Sequence, residues 1–485
     1  NLIIGIPVFF TIFYRLASTT VADPDLWGYM AFGRLFREGG SFPYHDIFSY
    51  MPTRPVWIYH EWLTGVLFFK LYQLSGETGL QLFRYSIGLL TAGIVYLTAR
   101  KRGAGPLSSA IALWMVSPMF GIFYSSVRAT IFTYLFFVIT FYLLETARLR
   151  NSWRRLLFII PIQILWCNLH GGFFAGLGLV SLYTAGQILS RHEFKRHLII
   201  LFLSTVATLM NPYGISYWVH MAEAITMPRP EIGEWLSVYK AITLDYQTGN
   251  QFYFIIVVFI SIMFGLWYRW KEITPILIFL TTIYLGFKSN RHQVFFFLSF
   301  AIFYPSILMA FGVRLKSDPK ILKLLNRVDW KTYLLVLASI ISLHYRVVEF
   351  SPLELKLPTC STKKEPFYYP LGAIDYVREH NLAGNMLCEF DWGEYILWNL
   401  YPKCLVGMDG RYESVYPAQI TREYFDFDYG RNGWRRFLEN YPHDMILIKS
   451  KGKTCSLLQA ENNWMQLYED DGCVLFVRRD YRLFQ

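Results

Sequence analysis

Apolar residues run in long stretches through the first two thirds of the chain, and polar residues are confined to the intervals between them. Eleven stretches approach the roughly 20 apolar residues that a helix needs to cross a bilayer: 1–20, 78–98, 106–123, 129–147, 156–170, 173–190, 198–212, 251–268, 273–287, 293–313 and 332–349. A further stretch, 62–74, is shorter and contains Lys70, which predicts an interfacial helix. After residue 350 the pattern changes to short alternating helical and strand runs, with strands at 385–389, 403–408 and 444–449 and a hairpin through 464–478. That alternation predicts a small α/β unit with a mainly parallel sheet and an antiparallel edge. The expected fold class is a polytopic α-helical membrane protein of about 11 transmembrane helices (1–350, with outer loops 21–77 and 213–250), followed by a C-terminal extracytoplasmic α/β domain (351–485).

Composition agrees with the pattern. Of 485 residues 54% are hydrophobic and 19% aromatic, and only 17% are charged, against roughly 25% in an average soluble domain. The net charge of +11 would suggest a nucleic-acid partner, but the positive excess lies entirely within 1–350, and 351–485 are slightly acidic. Nucleic-acid binding is excluded, because no basic face is left for phosphate contacts.

The cations instead report orientation. With 62–74 outside the membrane, loops 99–105, 148–155, 191–197, 269–272 and 314–331 share one side. They carry twice the Lys and Arg of the opposite loops in less than half the length. The positive-inside rule places them in the cytoplasm, with the amino terminus. A bacterial inner membrane is the expected location, and residues 350–485 then lie outside. Five of the six cysteines (Cys360, Cys388, Cys404, Cys455 and Cys473) fall in that tail, where Cys388 with Cys404 and Cys455 with Cys473 are candidate disulfides and free buried thiols the alternative.

Chemistry is expected on the outer face. Asp23 and Asp25 follow the first span two residues apart; such carboxylates serve as a general base or hold a hard cation such as Mg²⁺ or Mn²⁺. The structural alternative is that Asp25 caps a helix over 26–38. Arg128, Arg291 and His292 sit at outer rims, where guanidinium groups suit a phosphate, or anchor at the interface. His60, Glu61 and His170 are candidate polar walls of a cleft, and Trp27, Trp57 and Trp62 candidate sugar platforms. In loop 213–250, Glu223, Glu231 and Glu234 are equivalent candidates for a late acidic ligand.

The segment Val21-Ala22-Asp23-Pro24-Asp25-Leu26-Trp27, with Ser41 to Pro52 after it, resembles the first outer loop of the GT-C class of membrane glycosyltransferases, which includes oligosaccharyltransferase catalytic subunits and protein mannosyltransferases. In the tail, Glu389 to Tyr395 and Met408-Asp409-Gly410-Arg411 are similar to the Trp-Trp-Asp-Tyr-Gly region of oligosaccharyltransferases and the Asp-Gly element after it, although the first two tryptophans are missing and Trp392 follows Asp391. The resemblance implies a polyprenyl-phosphate-linked sugar donor, a protein or glycan acceptor, Asp23 and Asp25 as catalytic or metal-binding residues, and Asp391, Trp392, Asp409 and Arg411 on the acceptor side. It departs from the asparagine-glycosylating pattern at Trp392, and loop 124–128 has no second acidic pair. Two other classes compete. A non-catalytic scaffold docking partners in a larger complex through the tail predicts no cleft beside Asp25, and a transporter predicts charges deep in the spans.

Overall fold

The computed structural model describes residues 2–18, 20–150, 152–268, 271–316, 353–357 and 368–481. The expected span 332–349, the boundary near 350 and Cys360 lie outside them.

The α-helices described in the first part are α1 (Leu2–Ala17), α2 (Pro24–Glu38), α3 (Trp62–Lys101), α4 (Pro106–Phe123), α5 (Thr130–Arg150), α6 (Ile159–Leu169), α7 (Phe174–Leu189), α8 (Lys195–Ala207), α9 (Ile215–Thr226), α10 (Val238–Thr243), α11 (Thr248–Tyr268), α12 (Ile273–Lys288) and α13 (Gln293–Lys316). Among the described residues six segments are long and apolar enough to cross a membrane: Trp62–Lys101, Pro106–Phe123, Thr130–Arg150, Gly171–Leu189, Thr248–Tyr268 and Asn290–Arg314. The other expected spans among the described residues are shorter helices, Pro7–Ala17 and Ile273–Lys288 among them. Along α11, Phe252, Ile256, Phe259, Met263 and Leu266 are all more than half exposed at helical spacing. Such an apolar stripe suits lipid contact, and with the six long helices it marks an integral membrane protein.

The expected short helix and the span after it abut inside α3. Gly76 breaks the helix with φ 59° and ψ −151°, a conformation costly for any residue with a Cβ. Arg84, fully buried in the second half of α3, donates to Leu16 O (2.9 Å) and to Ser125 O. Arg84 is a buried charge inside the expected span 78–98. It satisfies one carbonyl at the end of α1 and one just past the end of α4.

Loops that alternate along the chain gather at opposite ends of the bundle. At one end Arg102 pairs with Glu145 and with Glu272 (3.2 Å), and Arg148 pairs with Glu145 (2.9 Å) and Glu272 (3.1 Å). At the other end the loops at 21–25, 124–128, 233–235 and 288–292 meet.

The tail folds as α14 (Leu371–Glu379), β1 (Gly384–Cys388), α15 (Gly393–Leu400), β2 (Cys404–Val406), α16 (Tyr412–Val415), α17 (Ala418–Asp428), α18 (Arg435–Asn440), β3 (Met445–Lys449), α19 (Lys453–Gln459), β4 (Trp464–Glu469) and β5 (Cys473–Arg478). The sheet order is β2-β1-β3-β5-β4. The β2-β1-β3 pairings are parallel and the β3-β5-β4 pairings antiparallel. The sheet is therefore evenly mixed, not mainly parallel, because the hairpin supplies two of its five strands. Cys167, Cys388, Cys404 and Cys455 are buried free thiols, which rules out the Cys455–Cys473 pair, and Cys473 is buried. Cys404 aligns with Gly384, four residues along β1 from Cys388, or about 13 Å at strand rise, which rules out the Cys388–Cys404 pair.

The first loop fastens the tail to the helices. Val406 N donates to Phe48 O (2.9 Å) at the β2 edge, and Ala22 N donates to Lys356 O (3.1 Å). The α2 and α15 helices pack through Trp27 against Tyr395 and through Arg34 over the Trp398 ring at 4.4 Å.

Candidate active site

Local sequence sets the two aspartates apart. Pro24 opens α2, and Asp23 before it is the N-cap, its extended backbone letting Oδ1 accept from Asp25 N (3.1 Å). Its Oδ2 accepts from Ser126 Oγ (2.8 Å). The cap is thus Asp23 and not Asp25, because a proline at the first helical position leaves the preceding residue to satisfy the open amides. Asp23 is 2% exposed, and burial, opposed by Arg128, pushes its carboxyl up to about 7.

Asp25 is relieved of capping. Its Oδ2 meets Arg128 Nη2 at 2.6 Å, while Oδ1 accepts no hydrogen bond from the described residues and lies beside Gly410. Arg128 also pairs through Nη1 with Glu234 and through Nε with Asp23 (3.4 Å). Glu234 lies 3.9 Å from Arg291, and its own segment is tied to the 289–290 turn by Ser289 Oγ donating to Glu234 O (3.1 Å). Burial opposes ionisation of Glu234, but Arg128 and Arg291 hold its carboxyl below the usual range.

These groups line a cavity of about 570 Å³ between the helices and the tail. Asp23, Asp25, Arg128, Glu234, Trp235 and Arg291 form its helical side, and Asp391, Glu394, Gly410, Asp428 and Lys449 face them from the tail. Arg229 and Arg291 both lie over the Trp235 ring, at 4.2 and 5.2 Å. Glu394 is buried and reaches back to α2, where its Oε2 accepts from Gly28 N (3.0 Å). Burial, reinforced by Glu389, pushes Asp428 up to about 8, while Lys449 pulls it down.

A smaller cavity of about 190 Å³ shares Arg291 and Trp235 with the first and is lined by His60, His170, His292, Phe174, Ile225 and Phe295. Glu61 stands between two of these imidazoles, 3.4 Å from His170 Nε2 and 3.7 Å from His60 Nε2. Burial raises its carboxyl to about 8, and burial lowers His60 to about 4.

Several expected residues lie elsewhere. Trp392, Asp409 and Arg411 are interior: Trp392 Nε1 donates to Tyr368 O (2.8 Å), and Arg411 ties Asp409 (2.6 Å) to Asp46 (2.5 Å). Asp391 does reach the cavity. The three tryptophans are not sugar platforms. Trp57 and Trp27 are buried, the latter donating to Tyr369 OH, and Trp62 donates to Asn168 Oδ1. Trp235 is the tryptophan that lines the cavity. Of the three loop glutamates, Glu223 pairs with Arg54 and Glu231 with Arg431, which leaves Glu234 for the aspartates. Glu394 falls within the Glu389 to Tyr395 segment, and nothing in its local sequence announces contact with Gly28.

The donor set does not suit Mg²⁺ or Mn²⁺. Asp23 is spent on the helix cap, and Asp25 and Glu234 converge on a guanidinium whose charge opposes a second cation. Among the described residues no three His, Cys, Asp or Glu gather as a metal site.

No family model and no curated protein sequence matches the chain. Solved structures do. The oligosaccharyltransferase of Archaeoglobus fulgidus, tethered with an acceptor peptide containing the NVT sequon, aligns over 99% of this chain and 74% of its own at TM-score 0.51 and 12% identity. The same enzyme in complex with Zn and sulfate aligns over 98% and 73% at TM-score 0.50 and 14% identity. ArnT from Cupriavidus metallidurans, bound to undecaprenyl phosphate, aligns over 98% of this chain and 97% of its own, at TM-score 0.50 and 12% identity. The fold is the GT-C fold. At these identities the likeness is one of architecture, and it extends through the tail as well as the helices. Within the GT-C fold, the aspartate loop of this chain faces an arginine, Arg128, from the loop where the sequence lacks a second acidic pair.

Proposed function

We propose that the chain is a membrane glycosyltransferase that moves a sugar or oligosaccharide from a polyprenyl-phosphate donor to a protein or glycan acceptor on the outer face. The carrying observation is that Asp25, Arg128 and Arg291 share one cavity of about 570 Å³. A scaffold with the aspartates as mere caps predicted no such cleft.

In this reading Asp25 takes the proton from the acceptor as its heteroatom attacks the anomeric carbon. The bond from that carbon to the phosphate oxygen breaks, and polyprenyl phosphate leaves with the electron pair. Arg291, aided by His292 in the adjoining cavity, receives the charge that grows on the leaving phosphate. Arg128, first considered for the phosphate, is engaged by three carboxylates and acts as a positioning residue that orients Asp25. The apolar walls of the smaller cavity, Phe174, Ile225 and Phe295, suit the first isoprene units. Asp391 and Lys449 lie where the acceptor would enter from the tail side.

The test is release of polyprenyl phosphate from a panel of polyprenyl-phosphate sugars by purified protein supplied with a membrane acceptor extract. Release that is lost in Asp25→Asn supports the proposal. Wild-type release by that variant overturns it.

A further inference from the structure

A further cavity, of about 740 Å³, lies at the other end of the bundle. Its walls are the ends of five elements: Ala147 and Arg148 of α5, Trp153 and Leu156 of the turn after it, Gln187 of α7, Arg196 and His197 of α8, and Lys271 to Pro275 entering α12. The α5 helix starts beside Arg128 and reaches this cavity some 20 residues later, a rise of about 30 Å. That is one hydrocarbon thickness from the candidate active site.

Its charges are arranged for an anion. Glu272 is already taken by Arg102 and Arg148. Arg196 and Lys271 are exposed and make no ion pair among the described residues; Arg196 lies over the Trp153 ring at 5.7 Å, and Glu193 is the lining carboxylate that Arg102 and Arg148 leave unpaired. His197 supplies an independent sign of a missing ligand, because both of its ring nitrogens are shielded from water and have no hydrogen-bond partner. A polar group in that state is costly unless something satisfies it. The elements that wall it also carry exposed apolar side chains: Phe158, Leu189, Ile199 and Phe202 are each more than half exposed. The loops at this end are also the cation-rich ones.

We propose that this cavity binds the phosphodiester headgroup of an anionic phospholipid, with the acyl chains lying along the exposed side of α8. A cationic pocket between helix ends at the bilayer boundary, with an apolar surface leading away, is built for such a lipid. Nothing in the transfer chemistry requires it. The site is separate from the donor cavity by the thickness of the membrane.

The experiment is native mass spectrometry of the full chain in detergent, titrated with phosphatidylglycerol, phosphatidylcholine or inorganic phosphate. Phosphatidylglycerol is expected to be retained in preference to phosphatidylcholine. The preference should fall about fivefold for each basic residue removed in Arg196→Ala and Lys271→Ala, at about 1 kcal/mol per residue. Both side chains are exposed, and an unchanged unfolding temperature would show that the variants are folded. Equal retention of the two lipids, a preference that survives the double variant, or binding of inorganic phosphate in place of the lipid would each overturn the proposal.

Discussion

The backbone N–H of Gly28 donates to Glu394 Oε2 at 3.0 Å, and a Cβ at Gly28 would lie 2.3 Å from that same oxygen. One glycine in the first loop thus fixes the distance between the helix that carries Asp25 and the tail that closes the cavity. Gly28→Ala is expected to push α2 and α15 apart, lowering stability by about 1–3 kcal/mol, the usual range for overpacking. Transfer should fall with it. Thermal unfolding and transfer assays on the same preparation check both.

Asp23 and Asp25 should fail differently. Asp23→Ala removes a helix cap, at a cost of about 0.5–2 kcal/mol, and should show first in the unfolding temperature. Asp25→Asn removes the open Oδ1 as a proton acceptor and should lower transfer about 10²–10⁴-fold at unchanged stability. Equal effects of both variants on rate and stability would refute this division.

Arg291 is expected to act through the donor. Arg291→Ala should cut transfer severely, and Arg291→Lys should recover only part of it, since a lysine supplies the charge without the planar fork that holds two phosphate oxygens. Rates measured across donor concentration separate this from a folding defect.

Chelation tests the carboxylate cluster. With Arg128 as the cation among Asp23, Asp25 and Glu234, transfer should survive EDTA. Loss of activity in EDTA, restored by Mg²⁺ or Mn²⁺, would return the aspartates to a metal-binding role.

Asp428 gives a pH signature. Its carboxyl is raised from 3.8 to about 8 in the folded protein, first by burial and then by Glu389. The folded state therefore holds the proton more tightly, and this stabilising contribution is complete below pH 3.8 and lost progressively as pH rises to about 8. Asp428→Asn should gain stability over the wild type across that interval and hold a constant gain above it, as read from unfolding temperatures at pH 5, 7 and 9.

Periodicity and charge made much of this protein legible in the sequence. The helices follow apolar runs, because a bilayer-length stretch of apolar residues has few other ways to satisfy its backbone. The tail's strands and helices fall close to their expected places, because alternation and turn residues act locally. The expected helix over 26–38 with Asp25 as its cap in fact begins at Pro24, which moves the cap to Asp23 and leaves Asp25 free. What the sequence could not supply was partnership. Glu234 was indistinguishable from Glu223 and Glu231 until Arg54 and Arg431 took the other two. Arg128 read as a phosphate ligand until three carboxylates closed on it. Asp409 and Arg411 read as acceptor residues until they were found neutralising each other in the interior. Sequence alone determined the membrane character, the helices and the aspartate loop, because those depend on neighbours along the chain. Only the tertiary structure decided which charges face the cavity, because an ion pair forms between groups that folding brings within a few ångströms, however far apart they lie in sequence.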